Sequence, residues 1–146
     1  MILFFDTSAL VKFYQEEEGT ELVTELVLER SSNLMISELA SLEFISALMR
    51  RYRNGEIDQG SLDEVISGFN ADLQRFTVKY LNERVLRKAE IILREVGGVM
   101  FLRTLDALQL ATFQLIEGEG TCFVTSDSRL EKAAIKLGVK TINPVQ

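Results

Sequence analysis

The sequence predicts a small α/β sandwich: a mostly parallel sheet of four to five short strands with helices on both faces. Three observations carry that expectation. Short apolar runs alternate with amphipathic segments along the whole chain, the pattern of strands joined by helical crossovers. The runs are apolar on consecutive positions, as strands covered on both faces must be. At 146 residues and 47% hydrophobic content, one domain spanning 1–146 can bury its core without disulfide or structural metal.

The first run, Ile2, Leu3, Phe4 and Phe5, ends in Asp6, which places an acid at the carboxyl end of a buried strand. Thr7 or Ser8 is expected to cap a helix to about residue 15. Gly19 then punctuates before a helix ending near Arg30, and the acids Glu16, Glu17 and Glu18 read as a solvated helix end. A second strand is expected over 33–37 and a long helix over 38–53, closed by Asn54 and Gly55. Asp58 opens a helix towards residue 74, and 76–80 alternates well enough for a third strand.

Residues 82–96 place Val85, Leu86, Ala89, Ile92, Leu93 and Val96 at helical spacing, stopping at Gly97 and Gly98. From 104 to about 117 the sequence is apolar almost all round, which predicts a buried helix ended by Gly118 and Gly120. Residues 121–125 read as a fourth strand. A helix to Leu137 follows, with a capping box from Ser128 to Glu131. Gly138 stops it, and 139–142 makes a last short strand.

Composition excludes whole classes of chemistry. The chain has no histidine, so Ser/His/Asp and Cys/His catalysis and His-ligated zinc are impossible. The single Cys122 allows neither an internal disulfide nor a cysteine zinc cage and suits a reducing compartment. No apolar run approaches the roughly 20 residues of a bilayer-spanning helix, and no basic region precedes the first one, so a cytoplasmic protein without membrane contact is expected. A formal charge of −6 argues against broad adhesion to nucleic acid.

Four acids stand among apolar neighbours: Asp6, Glu43, Asp106 and Asp127. Asp6 and Asp127 follow strands directly. Glu43 shares a helix row with Ala40 and Ala47, and Asp106 opens the buried helix. Taken singly, Asp106 and Asp127 serve as well at a helix N-terminus, an effect of about 0.3 to 2 kcal/mol. Asp6 is evenly balanced between an Asx-turn and a site. Together, four elements each aim an acid at one crevice, provided the first and fourth strands are neighbours. Carboxylates gathered there need a cation, because like charges raise one another's pKa. Oxygen-only donors favour Mg²⁺ or Mn²⁺.

Four segments then carry a resemblance: FDTSAL at 5–10, SEL at 37–39 leading to Glu43 and SAL at 46–48, LDALQLA at 105–111, and FVTSDSRL at 123–130. In this order the chain resembles PIN-domain ribonucleases, and within them the VapC-type toxins of toxin–antitoxin pairs. The resemblance implies a PIN-like three-layer α/β/α sandwich and a Mg²⁺- or Mn²⁺-dependent endoribonuclease. Its catalytic and metal residues would be Asp6, Glu43, Asp106 and Asp127, with Thr7, Ser8, Thr125 or Ser126 shaping the site. It also implies an RNA substrate, a cognate antitoxin and a homodimer, formed through the helix over 58–74 or that over 82–96. Lys12, Arg50, Arg51, Arg53, Arg103 and Arg129 are candidate phosphate contacts, most of which serve equally as ordinary surface or helix-end charges. Two other readings are an aspartate-dependent Mg²⁺ phosphotransferase, which lacks an acid two residues after Asp6, and a PIN-like scaffold that only binds protein.

Overall fold

A computed structural model describes residues 1–116 and 119–146. Five strands form one sheet: β1 (Ile2–Phe5), β2 (Asn33–Ser37), β3 (Thr77–Lys79), β4 (Thr121–Val124) and β5 (Thr141–Ile142). Their order is β3-β2-β1-β4-β5 and every pairing is parallel, so the sheet is wholly rather than mostly parallel. Among the described residues seven α-helices connect them: α1 (Thr7–Tyr14), α2 (Thr20–Leu28), α3 (Glu38–Arg53), α4 (Gln59–Asp72), α5 (Glu83–Val96), α6 (Thr104–Gln114) and α7 (Ser128–Lys136). Among the described residues no helix is long and apolar enough to cross a membrane.

Side chains alternate across β1, and the core divides accordingly. Leu3 and Phe5 point into one apolar layer with Leu10, Val23, Phe44, Leu48 and Phe69 from α1 to α4. Phe4 points into the other, with Val85, Ile92, Leu110 and Ala133 from α5 to α7. There Phe4 stacks on Phe123 with centroids 5.7 Å apart and meets the edge of Phe113 at 5.9 Å. β1 is therefore central, with β2 on one side and β4 on the other. The chain winds outwards from β1 in one direction to β3 and in the other to β5. The crevice at the carboxyl ends of β1 and β4 is thus the point where strand order reverses, the usual ligand position in an open α/β sheet.

Several local expectations are corrected. Neither Thr7 nor Ser8 caps α1: Asp6 does, accepting from the Ala9 N–H at 2.9 Å. α7 begins at an Asp127 cap instead of a Ser128–Glu131 box, because Glu131 turns to accept from Asn143 at 2.7 Å. The helix after Asp58 tightens into a 3₁₀ turn at Leu73–Arg75. β3 and β5 are shorter than expected, as edge strands with one partner each. α2 stops at Leu28, and α6 ends at Gln114; the expected end of that helix at Glu117 and Gly118 lies outside the described residues.

The acids Glu16 to Glu18 are not uniformly solvated. Glu17 accepts from Lys12 Nζ at 3.0 Å and from Arg51 Nη2 at 2.8 Å. Partial burial raises its pKa, but these two cations outweigh that and hold it below the usual value. The bridge ties the α1–α2 loop to α3. Gly19 follows with φ of 95°, and a Cβ there would stand 3.1 Å from Lys12, Pro144 and Val145, so glycine is required on both counts.

Candidate active site

Asp6 is 3% exposed and is held by three donors. Ser8 Oγ donates at 2.7 Å, Thr125 Oγ1 at 2.7 Å, and the Ala9 N–H at 2.9 Å. The two hydroxyls are themselves fixed: Ser8 Oγ accepts from the Ser126 N–H at 3.1 Å and Thr125 Oγ1 from the Asp127 N–H at 3.1 Å. This lattice joins the ends of β1 and β4. Burial pushes the Asp6 carboxyl up from 3.8 to about 6; the three hydrogen bonds oppose that rise and the nearby Asp127 charge adds to it.

Asp106 sits in the first turn of α6 and is buried. Its carboxylate is chelated by Arg103, with Nε 3.0 Å from Oδ2 and Nη2 3.0 Å from Oδ1. Oδ2 also accepts from the Arg103 N–H at 3.2 Å, so the helix-terminus role weighed from sequence is real and coexists with the site. Asp127 accepts from the N–H groups of Arg129 and Leu130 through Oδ1, while its Oδ2 lies 3.7 Å from Arg103 Nη2. Hydrogen bonding and charge from Asp106, with smaller contributions from Asp127 and Glu43, hold the Arg103 guanidinium above its ordinary pKa.

Glu43 is held from two elements at one oxygen. Thr7 Oγ1 donates to Oε1 at 2.8 Å and Gln109 Nε2 donates to the same Oε1 at 3.0 Å. Oε2 keeps its acceptor capacity for the crevice. Gln109 is 2% exposed, and its Oε1 has no hydrogen-bond partner among the described residues. The reverse amide orientation would set that oxygen against a carboxylate, so the orphan accompanies the bond to Glu43.

The structure thus brings Asp106, Asp127 and Glu43 about the Arg103 guanidinium, with Asp6 close to Asp127 at the end of β1. As the side chains stand, no group of three or more acidic or cysteine side chains among the described residues could hold a metal ion. The donor set still fits a hard divalent cation: every candidate ligand is a carboxylate oxygen, and Arg103 already supplies positive charge between Asp106 and Asp127. Thr7, Ser8 and Thr125 donate through their hydroxyls to Glu43 or Asp6, and Ser126 donates only its backbone N–H, to Ser8.

Of the proposed phosphate contacts, Lys12 and Arg51 are engaged by Glu17, and Arg50, Arg51 and Arg103 line a cavity of about 420 Å³ beside Thr7 and Glu43. Arg53 lies in the last turn of α3. Sequence reasoning missed Gln109 and the carboxylate-binding role of Arg103. A signal existed for Gln109: it is a polar residue three positions after Asp106 on a helix with no other polar face.

The family model described as PIN domain matches residues 3–136. Ribonuclease VapC47 of Mycobacterium tuberculosis (strain CDC 1551 / Oshkosh) is 30% identical over 146 residues, spanning 98% of this chain and 97% of that protein. Among solved structures, FitAcB from Neisseria gonorrhoeae superposes with a TM-score of 0.72 at 18% identity, over 99% of this chain and 98% of the other. Mycobacterium tuberculosis VapC20, described as a toxin cleaving the sarcin-ricin loop, superposes at 0.67 with 15% identity, over 90% and 94% of the two chains. VapBC2 from Rickettsia felis, solved bound to a promoter DNA fragment, superposes at 0.69 with 13% identity, over 98% of each chain.

Proposed function

The chain belongs to the PIN-domain family, with a VapC ribonuclease among its relatives, and from that membership we propose that it is a Mg²⁺- or Mn²⁺-dependent endoribonuclease, the toxin of a toxin–antitoxin pair. The observation that supports this reading is the meeting of acids at the strand-reversal crevice: Asp106, Asp127 and Glu43 about Arg103, and Asp6 close to Asp127. The relatives described as VapBC and FitAcB, and a ribonuclease name on a relative covering nearly the full chain, support it.

Asp6, Asp106 and Asp127 would hold the cation, with Glu43 at its side. A divalent cation bound there lowers the pKa of water and offsets charge on phosphoryl oxygens. The remaining work falls to the chain. Thr7 and Gln109 fix one oxygen of Glu43 so that the other orients the attacking water and receives its proton. Ser8 and Thr125 keep Asp6 in one rotamer at the end of a rigid strand. Arg103, which lines both cavities beside the acids, would face the scissile phosphate. In-line attack by that water forms the new P–O bond and breaks the P–O3′ bond; the 3′-oxygen takes a proton from solvent, leaving a 5′-phosphate and a 3′-hydroxyl.

Three further expectations go with this reading. The substrate is RNA in the cytoplasm, and a cognate antitoxin silences the site by covering it. The chain pairs as a homodimer; of the two helices expected to supply that surface, α5 carries the exposed apolar residues Leu86 and Ile91. The direct test is metal-dependent cleavage of total cellular RNA by the unaltered chain and by Asp6→Asn and Asp106→Asn variants, alongside growth arrest on expression. Loss of cleavage and of arrest in both variants is expected. Full activity in either overturns the assignment, and arrest that persists without cleavage favours the protein-binding scaffold.

A further inference from the structure

On the far side of Arg103 from Glu43 lies a second cavity, of about 310 Å³, walled by Phe101, Arg103, Asp106, Asp127, Ser128 and Arg129. Two of its walls are site carboxylates, so its contents lie next to the reacting centre. A third wall is an aromatic ring that folding has not hidden: Phe101 is 57% exposed. Its ring is nevertheless ordered from one side, because the Arg129 guanidinium lies 4.7 Å from the ring centroid. Arg129 stands in the first turn of α7, two residues after the Asp127 cap, so the helix that a candidate ligand caps also carries the group that orients Phe101.

We propose that Phe101 and Arg129 form a seat for one unpaired nucleobase of the RNA, adjacent to the phosphate being cut. The inference rests on the ribonuclease reading and adds to it where the strand is gripped. Single-stranded nucleic acid is held by aromatic and guanidinium faces on which bases stack, with cations tracking the backbone. Here both faces are present in one stacked pair, and Arg103 stands between this cavity and the one containing Thr7 and Glu43. A strand crossing the crevice would set its phosphate at Arg103 and its neighbouring base on the Phe101 ring. The same pair explains how a chain of net charge −6 holds RNA: recognition is local, through two arginines and a ring, rather than through a basic surface.

The chain contains no tryptophan, so a Phe101→Trp substitution places a single indole reporter in the seat. In the Asp6→Asn background, which is expected to bind RNA without cutting it, indole emission is followed as a mixed-sequence single-stranded oligoribonucleotide is added, with a labelled copy reporting binding by anisotropy. Saturable quenching is expected with RNA and not with an abasic ribose-phosphate strand of the same length. Adding Arg129→Ala should weaken RNA affinity roughly tenfold. In the otherwise unaltered chain, Phe101→Ala should raise KM more than it lowers kcat and broaden the set of cleaved sites. Flat emission on RNA binding, no RNA binding, or equal quenching by the abasic strand overturns the seat. A blue shift that grows with protein concentration alone also overturns it, by assigning Phe101 to a contact between copies. If the unaltered chain cuts RNA while emission stays flat, only the seat fails; if quenching occurs but no RNA is cut, only the ribonuclease reading fails.

Discussion

Asp6 makes a prediction that can be worked through quantitatively, because its burial acts on stability as well as on the site. Below its unfolded value of 3.8 the carboxyl is protonated in both folded and unfolded chains and adds nothing to the pH dependence. Between 3.8 and about 6 the unfolded chain releases the proton while the folded chain keeps it, so stability falls as pH rises. The loss is complete above about 6 and corresponds to about 3 kcal/mol, at about 1.4 kcal/mol for each pH unit between the two values.

An Asp6→Asn chain retains a good cap for α1 and does not titrate there. Its stability relative to the unaltered chain should therefore grow by about 3 kcal/mol between about pH 3.5 and pH 7.5. Urea denaturation of both chains across that range, in chelator, measures the difference directly. Adding Mn²⁺ at the higher pH should then stabilise the unaltered chain far more than the variant, because the cation favours the ionised carboxylate. A stability difference that stays constant with pH, within about 1 kcal/mol, would refute the reasoning.

Three other outcomes are expected. Gln109→Met keeps the length of the side chain but removes the donor to Glu43 and the orphan Oε1; turnover should fall roughly tenfold or more with little change in KM, while the thermal midpoint holds or rises, and an unchanged kcat would remove Gln109 from the site. Arg103→Ala takes the cation from between Asp106 and Asp127; the guanidinium is more than half exposed, so the metal-free chain should lose only about 0.5 to 1 kcal/mol, and Mn²⁺ should raise its melting temperature more than that of the unaltered chain. Equal Mn²⁺ shifts in the two chains would count against a shared place for guanidinium and metal. Phe4→Ala empties the stack with Phe113 and Phe123 and should cost about 3 to 5 kcal/mol in chemical denaturation, a loss below about 1 kcal/mol being incompatible with that packing.

What the sequence revealed, and what it did not, follows from the range of the forces involved. β1, β2 and β4 were legible because strands covered on both faces must be apolar at every position, which leaves a short unmistakable run. Asp6 was legible as a candidate because it follows such a run directly, and Asp127 because it lies in the turn just beyond one. The cap of α1 was misassigned: the choice between Asp6, Thr7 and Ser8 depends on which side chain reaches the Ala9 N–H, and only the lattice with Thr125 decides it. The pairing of Gln109 with Glu43 joins residues 66 positions apart and leaves no local periodicity. Arg103 read as a surface charge because its carboxylate partners come together only when α6 and α7 meet at the sheet edge. The short β3 and β5 reflect the same limit, since an edge strand ends where its one neighbour ends.

The central position of β1 also has a consequence for synthesis on the ribosome. The strand that emerges first needs a neighbour that emerges late: Ile2 pairs with Thr121, and Asp6 receives its hydrogen bond from Thr125, 119 residues downstream. Contacts so distant in sequence form late, and domain-scale structure waits for the chain that completes it. A nascent chain therefore carries Asp6, and soon Glu43, for most of its translation without Asp106 or the β4 edge that leads to Asp127. For a protein proposed to cut RNA, that order delays assembly of the centre until nearly the whole polypeptide has been made.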